Sequence, residues 1–207
     1  RRFLPDWLER IEEYSGDRPI FDLFGVEDEI ENALRKSVPL KSGGYLVFDQ
    51  TEAMTTIDVN TGGYVGHRTL EETIYKTNLE AAQSIARQLR LRNLGGIIII
   101  DFIDMADAEH RRQVMQSFQR ALERDHVKST VSEISSLGLV EMTRKRTTES
   151  LERRLCVPCP LCEGRGAIKS TETVCLEIFR EIMRSSRQFD ASKLMVLAPS
   201  QVVERIL

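Results

Sequence analysis

Two short segments bring carboxylates to places where they could do chemistry. In "MTTIDVN", residues 54–60, side chains alternate if the segment is a strand. Thr56, Asp58 and Asn60 then share one face, and Ile57 and Val59 turn to the other. In "GGIIIIDFID", residues 95–104, four isoleucines run straight into Asp101. A carboxylate at the rim of a buried sheet is costly unless it is paired, hydrogen-bonded or bound to a cation. Two carboxylates at two strand ends could hold Mg²⁺, which takes one or two carboxylates together with waters and substrate phosphates. Such a pair would make a phosphoryl-transfer or nuclease centre. The alternative is that the aspartates cap helices or sit in turns. Asp49 and Asp104 compete for the same role. A strand that stays regular would turn Asp104 away from Asp101, so those two would not share an ion. The pattern does not choose among the four.

A second cluster is "CVPCPLCEGRG", residues 156–166. Cys159 and Cys162 form a CxxC, and so do Cys156 and Cys159. Three readings stand: free thiols, a redox pair, or part of a zinc site. Pro158, Pro160, Gly164 and Gly166 imply a tight knuckle, which favours metal over redox. A closed structural zinc site needs four ligands, and the chain has four cysteines, of which Cys175 lies in a helical pattern. The missing ligands could come from a second copy of the chain across a two-fold axis, or the site could be built within one chain around Cys156, Cys159 and Cys162. Basic residues offer a third group: His67, Arg68, Arg87, Arg90 and Arg92, then Arg144, Lys145 and Arg146. They could contact phosphates, although solvated helix faces are the commoner use of such residues.

These groups need elements to position them. "PDWLERIEEYS" has Trp7, Ile11 and Tyr14 at helical spacing behind Pro5 and Asp6. "VEDEIENALRKS" puts Val26, Ile30, Ala33 and Leu34 on one helical face. Two strands, Tyr45–Asp49 and Met54–Asn60, are expected around a short turn at Thr51 and Glu52. "LEETIYKTNLEAAQSIARQLRLRN" reads as a long helix with Ile74, Ala81, Ala82, Ile85 and Leu89 inward, closed by Gly95. The isoleucine run is a buried strand. A helix capped by Asp107 should follow, burying Val114, Met115, Phe118 and Leu122. "STVSEISSLGLVEMTRK" suggests two short strands. "STETVCLEIFREIMRSS" is a last long helix, and "KLMVLAPS" a strand. The order argues for an α/β core to about residue 150 and a separate small unit after it.

Composition agrees with a globular chain: 207 residues, 41% hydrophobic and 29% charged. No run approaches the roughly 18 apolar residues of a membrane span. Four cysteines are too few for a disulfide scaffold, so a reducing compartment, the cytoplasm, is expected. A net charge of −3 does not announce a nucleic-acid binder, although a local basic stripe can exist on an acidic protein. The chain lacks an initial Met and stops inside "APSQVVERIL", the opening of a helix, so a fragment of a longer protein is expected.

"TTIDVNTGGYVGHRTLEETIYKTNLEAAQSIARQLRLRNLGGIIIIDFIDM", "GLVEMTRKR" and "CPLCEGRG" together resemble the ribonuclease E/G family. "NTGGYVGHR" and "EMTRKRTTES" lie nearer its G type than its E type. The resemblance runs over essentially the whole chain, in long blocks in the right order. It implies a Mg²⁺-dependent endoribonuclease that hydrolyses single-stranded, A/U-rich RNA, with roles in rRNA processing and mRNA decay. By the same resemblance Asp58 and Asp101 are the Mg²⁺ ligands, and Asn60 orients a ligand or the RNA phosphate. Cys159 and Cys162 match a CPxC that shares one Zn²⁺ between protomers of a homodimer or higher oligomer. The implied organisation is the tail of an RNase H-like subdomain (1–33), a DNase I-like catalytic subdomain (34–155), the zinc link (156–170) and a truncated small α/β dimerisation domain (171–207). The family's S1 domain and 5′ sensor are outside this chain. The rival expectation is a zinc-linked RNA-binding and oligomerisation module without turnover.

Overall fold

The computed structural model describes residues 12–63, 70–135, 137–189 and 193–207. The chain forms two compact units that divide between Cys156 and Val157. The first is built on strands β1 (Ser37–Pro39), β2 (Tyr45–Gln50), β3 (Met54–Asn60), β4 (Gly96–Asp101), β5 (Ser129–Ile134) and β6 (Leu139–Arg144). They form one sheet in the order β1-β2-β3-β4-β6-β5. Every neighbouring pair is antiparallel except β3 and β4, which run parallel. Parallel neighbours need a crossover, and α3 (Leu70–Leu91) supplies it. α4 (Ala108–Leu122) follows β4. Shorter helices α1 (Ile20–Leu23), α2 (Val26–Leu34) and α5 (Leu151–Leu155) complete this unit.

Both long helices cover the same face of the sheet. Leu46, Phe48, Ile57, Val59, Ile98, Ile100, Val140 and Met142 form that face and join one core with the inner stripes of α3 and α4. Ala81, Ala82, Ile85 and Leu89 of α3 are fully buried, as are Val114 and Phe118 of α4. Small alanines at two adjacent positions let α3 approach the sheet closely. The opposite face carries Thr56, Asp58, Ile97, Asp101, Glu141 and Thr143 and is open. Ile97, the first of the four isoleucines, is 47% exposed there. The run is therefore buried on one face only, unlike a doubly covered parallel strand.

Helix ends follow their local chemistry. The Asp107 carboxylate accepts from the Glu109 N–H at 2.7 Å and caps α4. The end of α3 differs from expectation: Asn93, at φ 48°, makes the left-handed turn ahead of Gly95. Leu94 N–H donates to Leu89 O and Asn93 N–H to Arg90 O, a Schellman closure with Leu94 and Leu89 both in the core. Asn is one of the few side chains that tolerates this conformation. Its amide also donates to Thr148 and Glu149, tying the chain after β6 to the helix end.

The structure departs from the sequence reading at further points, and one expectation lies mostly outside the described residues. The helix expected over 5–14 lies mostly outside the described residues, and Glu12–Tyr14 is irregular. α1, β1 and α5, three to five residues each, are too short to leave a periodic signal. In the second unit α6 (Thr171–Gln188) and α7 (Ser200–Ile206) pack through Cys175 and Val202, whose carbonyl accepts from the thiol at 3.8 Å. "KLMVLAPS" is not a strand there: 193–199 is irregular, with Met195 and Leu197 about nine-tenths exposed. A short apolar run makes a strand only when a ladder partner lies beside it. Among the described residues the second unit contains helices and irregular chain, with no sheet.

Arg92 and Arg144 are structural. Arg144 donates to Asp125 at 2.7 and 3.3 Å and to Leu94 O at 2.6 Å, with both charged side chains 3–4% exposed. It joins the end of β6 to the α3–β4 and α4–β5 connections. Arg92 lies 4.3 Å over the Phe48 ring and donates to Gln88 at 2.8 Å. Burial lowers its pKa, partly offset by Glu152.

Burial pushes the Asp125 carboxyl up, but hydrogen bonds from Arg144 and Val127 N–H, and the charges of Arg144 and Arg90, hold it below its ordinary value. The contribution of a depressed carboxylate is complete above its unfolded pKa and is lost as pH falls through the folded one. Asp125→Asn strands Arg144 and should cost about 3–5 kcal/mol at neutral pH in urea unfolding. The wild-type advantage should shrink on acidification below about pH 4. An unchanged midpoint at pH 7 would contradict this role for the pair.

Candidate metal centre

The parallel register pairs Asp58 directly with Asp101. Alternation keeps Ile57 and Val59 in the core and turns Asp58 and Asn60 to the open face. The same alternation buries Ile98 and Ile100 and brings Asp101 out beside Asp58. The pair sits at the carboxyl ends of adjacent parallel strands, where open α/β sheets place their ligands. The Asn60 amide donates to Asp58 Oδ2 at 2.8 Å and fixes the carboxylate's orientation.

The electrostatics are unbalanced. The Asp101 carboxyl is held above the usual range, first by partial burial and then by the negative charges of Asp58 and Asp104. Among the described residues neither Asp58 nor Asp101 has a cationic side chain within ion-pair distance. A divalent cation with oxygen ligands would relieve that repulsion. Two carboxylates and an amide oxygen are the donor chemistry Mg²⁺ takes, so the residues fit the ion. No group of three or more His, Cys, Asp or Glu converges among the described residues, so any ion here would rely on other oxygens for its remaining ligands.

The competing aspartates separate. Asp49 lies on β2 opposite Thr56 and is neutralised by Lys36 at 2.7 Å. Asp104 does not sit on a regular strand, because β4 ends at Asp101. It is close enough to raise the pKa of Asp101, contrary to the expectation that it faces away. His67 and Arg68 lie outside the described residues. Arg87 pairs with Glu29 at 2.7 Å, and Lys145 and Arg146 are exposed.

Two supports escape the sequence reading. Asn78, fully buried on α3, donates to Ile103 O at 2.7 Å and accepts from Ile103 N–H at 3.1 Å. This two-point clamp holds the chain just beyond Asp101. An amide among the inward alanines and isoleucines of a helix is the signal that could have revealed it, since a buried amide must find partners. Gly44 is the second support. A Cβ there would lie 2.4 Å from Asn60 O and 2.9 Å from Thr77 Cγ2. The Glu80 carboxylate accepts from the N–H groups of Lys41 and Ser42 and holds that turn against α3.

The cysteine knuckle belongs to the second unit. The N–H groups of Cys162 and Leu161 and the Cys162 thiol point at the Cys159 sulfur and lower its pKa. Glu163 N–H donates to Cys159 O at 2.8 Å and Arg165 N–H to Cys162 O at 2.9 Å, through positive φ at Glu163, Gly164 and Gly166. The arrangement favours thiolate, the form that binds metal. Cys175 is buried in the helix pair, and Cys156 follows α5.

Residues 1–147 match the profile of the Ribonuclease E/G family, and residues 158–207 match that of the RNase E/G thioredoxin-like domain. The chain belongs to the ribonuclease E/G family. It is 58% identical to Ribonuclease G of Escherichia coli K12 over 204 residues, which is 99% of this chain and 42% of that protein. Ribonuclease G of Haemophilus influenzae is 57% identical over 99% of the chain and 42% of its own length. Ribonuclease E of Escherichia coli K12 is 39% identical over 98% of the chain and 19% of its own length. The chain thus spans about two fifths of the length of its G-type relatives.

Gly44→Ala should force apart the β2 entry and the end of β3 that carries Asn60. The expected cost is about 1–3 kcal/mol by thermal unfolding. A variant as stable as wild type would show that this close approach is not a constraint.

Proposed function

We propose that this chain carries the cleavage centre of a Mg²⁺-dependent endoribonuclease acting on single-stranded, A/U-rich RNA. The observation that supports it best is the register pairing of Asp58 with Asp101 on an open sheet face, in a member of the ribonuclease E/G family. In this reading 34–155 is the DNase I-like catalytic subdomain, 1–33 the tail of an RNase H-like one, 156–170 the zinc link and 171–207 part of a small dimerising domain. The working protein is a cytoplasmic homo-oligomer engaged in rRNA processing and mRNA decay. No helix among the described residues is long and apolar enough to cross a membrane.

Asp58 and Asp101 hold the cation, and the Asn60 amide keeps Asp58 in its ligating orientation. When bound, Mg²⁺ supplies Lewis-acid polarisation of the phosphate and acidifies a water. The open face leaves room for an extended RNA strand to lie across the two carboxylates. Asn78 and Gly44 keep the two strand ends in register while the strand is bound.

Asp101→Asn keeps the size and removes the charge. In the full-length protein, cleavage of a short single-stranded RNA should fall by orders of magnitude, because the cation loses one of two anionic ligands. RNA affinity should survive, since phosphate contacts elsewhere dominate it. Asp49→Asn, whose native partner is Lys36, should be far milder. Near-normal cleavage by Asp101→Asn would refute the assignment, and RNA held uncut by the wild type in Mg²⁺ would favour a non-catalytic binding module.

Cys159 and Cys162 offer two thiolates per chain, so a tetrahedral zinc shared between protomers should appear at about half an equivalent per chain. A chelator should dissociate the oligomer and leave the α/β unit folded. Cys159→Ser and Cys162→Ser should do the same, and Cys175→Ser should not. One zinc per chain, lost in Cys156→Ser, would instead indicate a site within a single chain.

A further inference from the structure

The helices on the far side of the sheet from Asp58 and Asp101 enclose a groove of about 1180 Å³. Its charged lining is one-sided: Lys41, Arg87, Arg90, Arg112, Arg120 and Arg124 against the single carboxylate of Glu80. Glu80 is already engaged by two backbone N–H groups. The rest of the polar lining is amide and hydroxyl, including Gln83, Gln116 and Ser117. This concentration of cations occurs in a chain whose net charge is −3. Arg87 and Arg112 are neutralised by Glu29 and Glu109. Lys41, Arg90, Arg120 and Arg124 have no carboxylate within ion-pair distance among the described residues.

The direction of the groove follows from the topology. α3 leaves the carboxyl end of β3 and α4 leaves the carboxyl end of β4, so both begin at the end of the sheet that carries Asp58 and Asp101. From Arg112 to Leu122 the α4 wall runs roughly 15 Å, at 1.5 Å per residue. Its Arg112 end lies towards the end of the sheet that carries Asp58 and Asp101, on the other face, and its far end leads to Arg120 and Arg124.

We propose that this groove is a second RNA-binding surface, taking the sugar-phosphate backbone of a strand whose other part lies at Asp58 and Asp101. Unpaired guanidinium groups along a concave track bind phosphates without regard to base. Uncharged amides and hydroxyls between them suit ribose and bridging oxygens better than an apolar helix. The inference rests on the ribonuclease reading and adds where a long substrate continues beyond the point of cleavage.

The test uses the full-length protein with Arg90→Ala, Arg120→Ala and Arg124→Ala combined. All three side chains are exposed, but Arg90 donates to Arg124 O at 3.2 Å and its charge favours the Asp125 carboxylate, so a urea midpoint matching wild type is established before binding is measured. Affinity is measured against a long oligouridylate and against one only a few nucleotides long, over a range of salt. Affinity for the long strand should fall roughly tenfold at moderate salt, and the slope of log K against log salt should become shallower by about 2. Cleavage of the short strand should keep its kcat. Unchanged long-strand affinity and slope would overturn the proposal and leave the groove to another partner, such as an acidic protein segment. A fall in affinity with no change of slope would also overturn it, as would a loss of kcat on the short strand. Failure of the ribonuclease reading would look different: the wild type would leave the short strand uncut in Mg²⁺, or Asp101→Asn would cleave it normally, whatever the groove does.

Discussion

Two adjacent strands can run in the same direction only if the chain returns the length of the sheet between them. Here that return is α3, and the parallel β3–β4 pair it closes is the constraint on which the site depends. The observed register sets Asp58 against Asp101, and period-two alternation turns both to the same open face. A slip of one residue would bury one carboxylate in the core and expose an isoleucine in its place. The buried row of Ile57, Val59, Ile98 and Ile100 makes that slip expensive, so hydrophobic burial on one face fixes charge placement on the other.

That placement is unfavourable by itself. Like charges side by side at a strand end repel, and that repulsion adds to partial burial in raising the pKa of Asp101. The surroundings hold them there through contacts that do not involve the carboxylates' own charge. Asn78 grips the backbone beyond Asp101, Gly44 admits the backbone of Asn60, and Glu80 fixes the turn beside it. At the opposite end of the sheet the buried Arg144–Asp125 pair and the Asn93 closure tie the chain that enters β4 to the end of β6 and to the α4–β5 connection. Two carboxylates kept together by a neutral scaffold have strong reason to bind a cation.

Much of this was legible in the sequence wherever a periodic signal was long. The α3 stripe, the Asp107 cap and the alternation in MTTIDVN each read correctly, and the isoleucine run is a strand though buried on one face only, because each is dictated by burial or by local capping chemistry. The strand partners were not legible, since order in a sheet is a long-range property. Hence four aspartates stood as equals until pairing with Lys36 removed Asp49 and the early end of β4 brought Asp104 towards Asp101. Arg92 and Arg144 stood as phosphate contacts or, more commonly, solvated surface charges, because a sequence shows charge without burial. "KLMVLAPS" failed for the converse reason: its short apolar run suits a strand, but nothing pairs with it among the described residues.

The most direct test is to locate a cation. Mn²⁺ accepts the same carboxylate and water ligands as Mg²⁺ and scatters anomalously. Crystals of the protein soaked in Mn²⁺ should give an anomalous peak within coordination distance of both Asp58 and Asp101, and Mg²⁺ in excess should displace it. A peak on Asp49 or Asp104 without Asp58, or none at the β3–β4 ends at saturating Mn²⁺, would contradict the account.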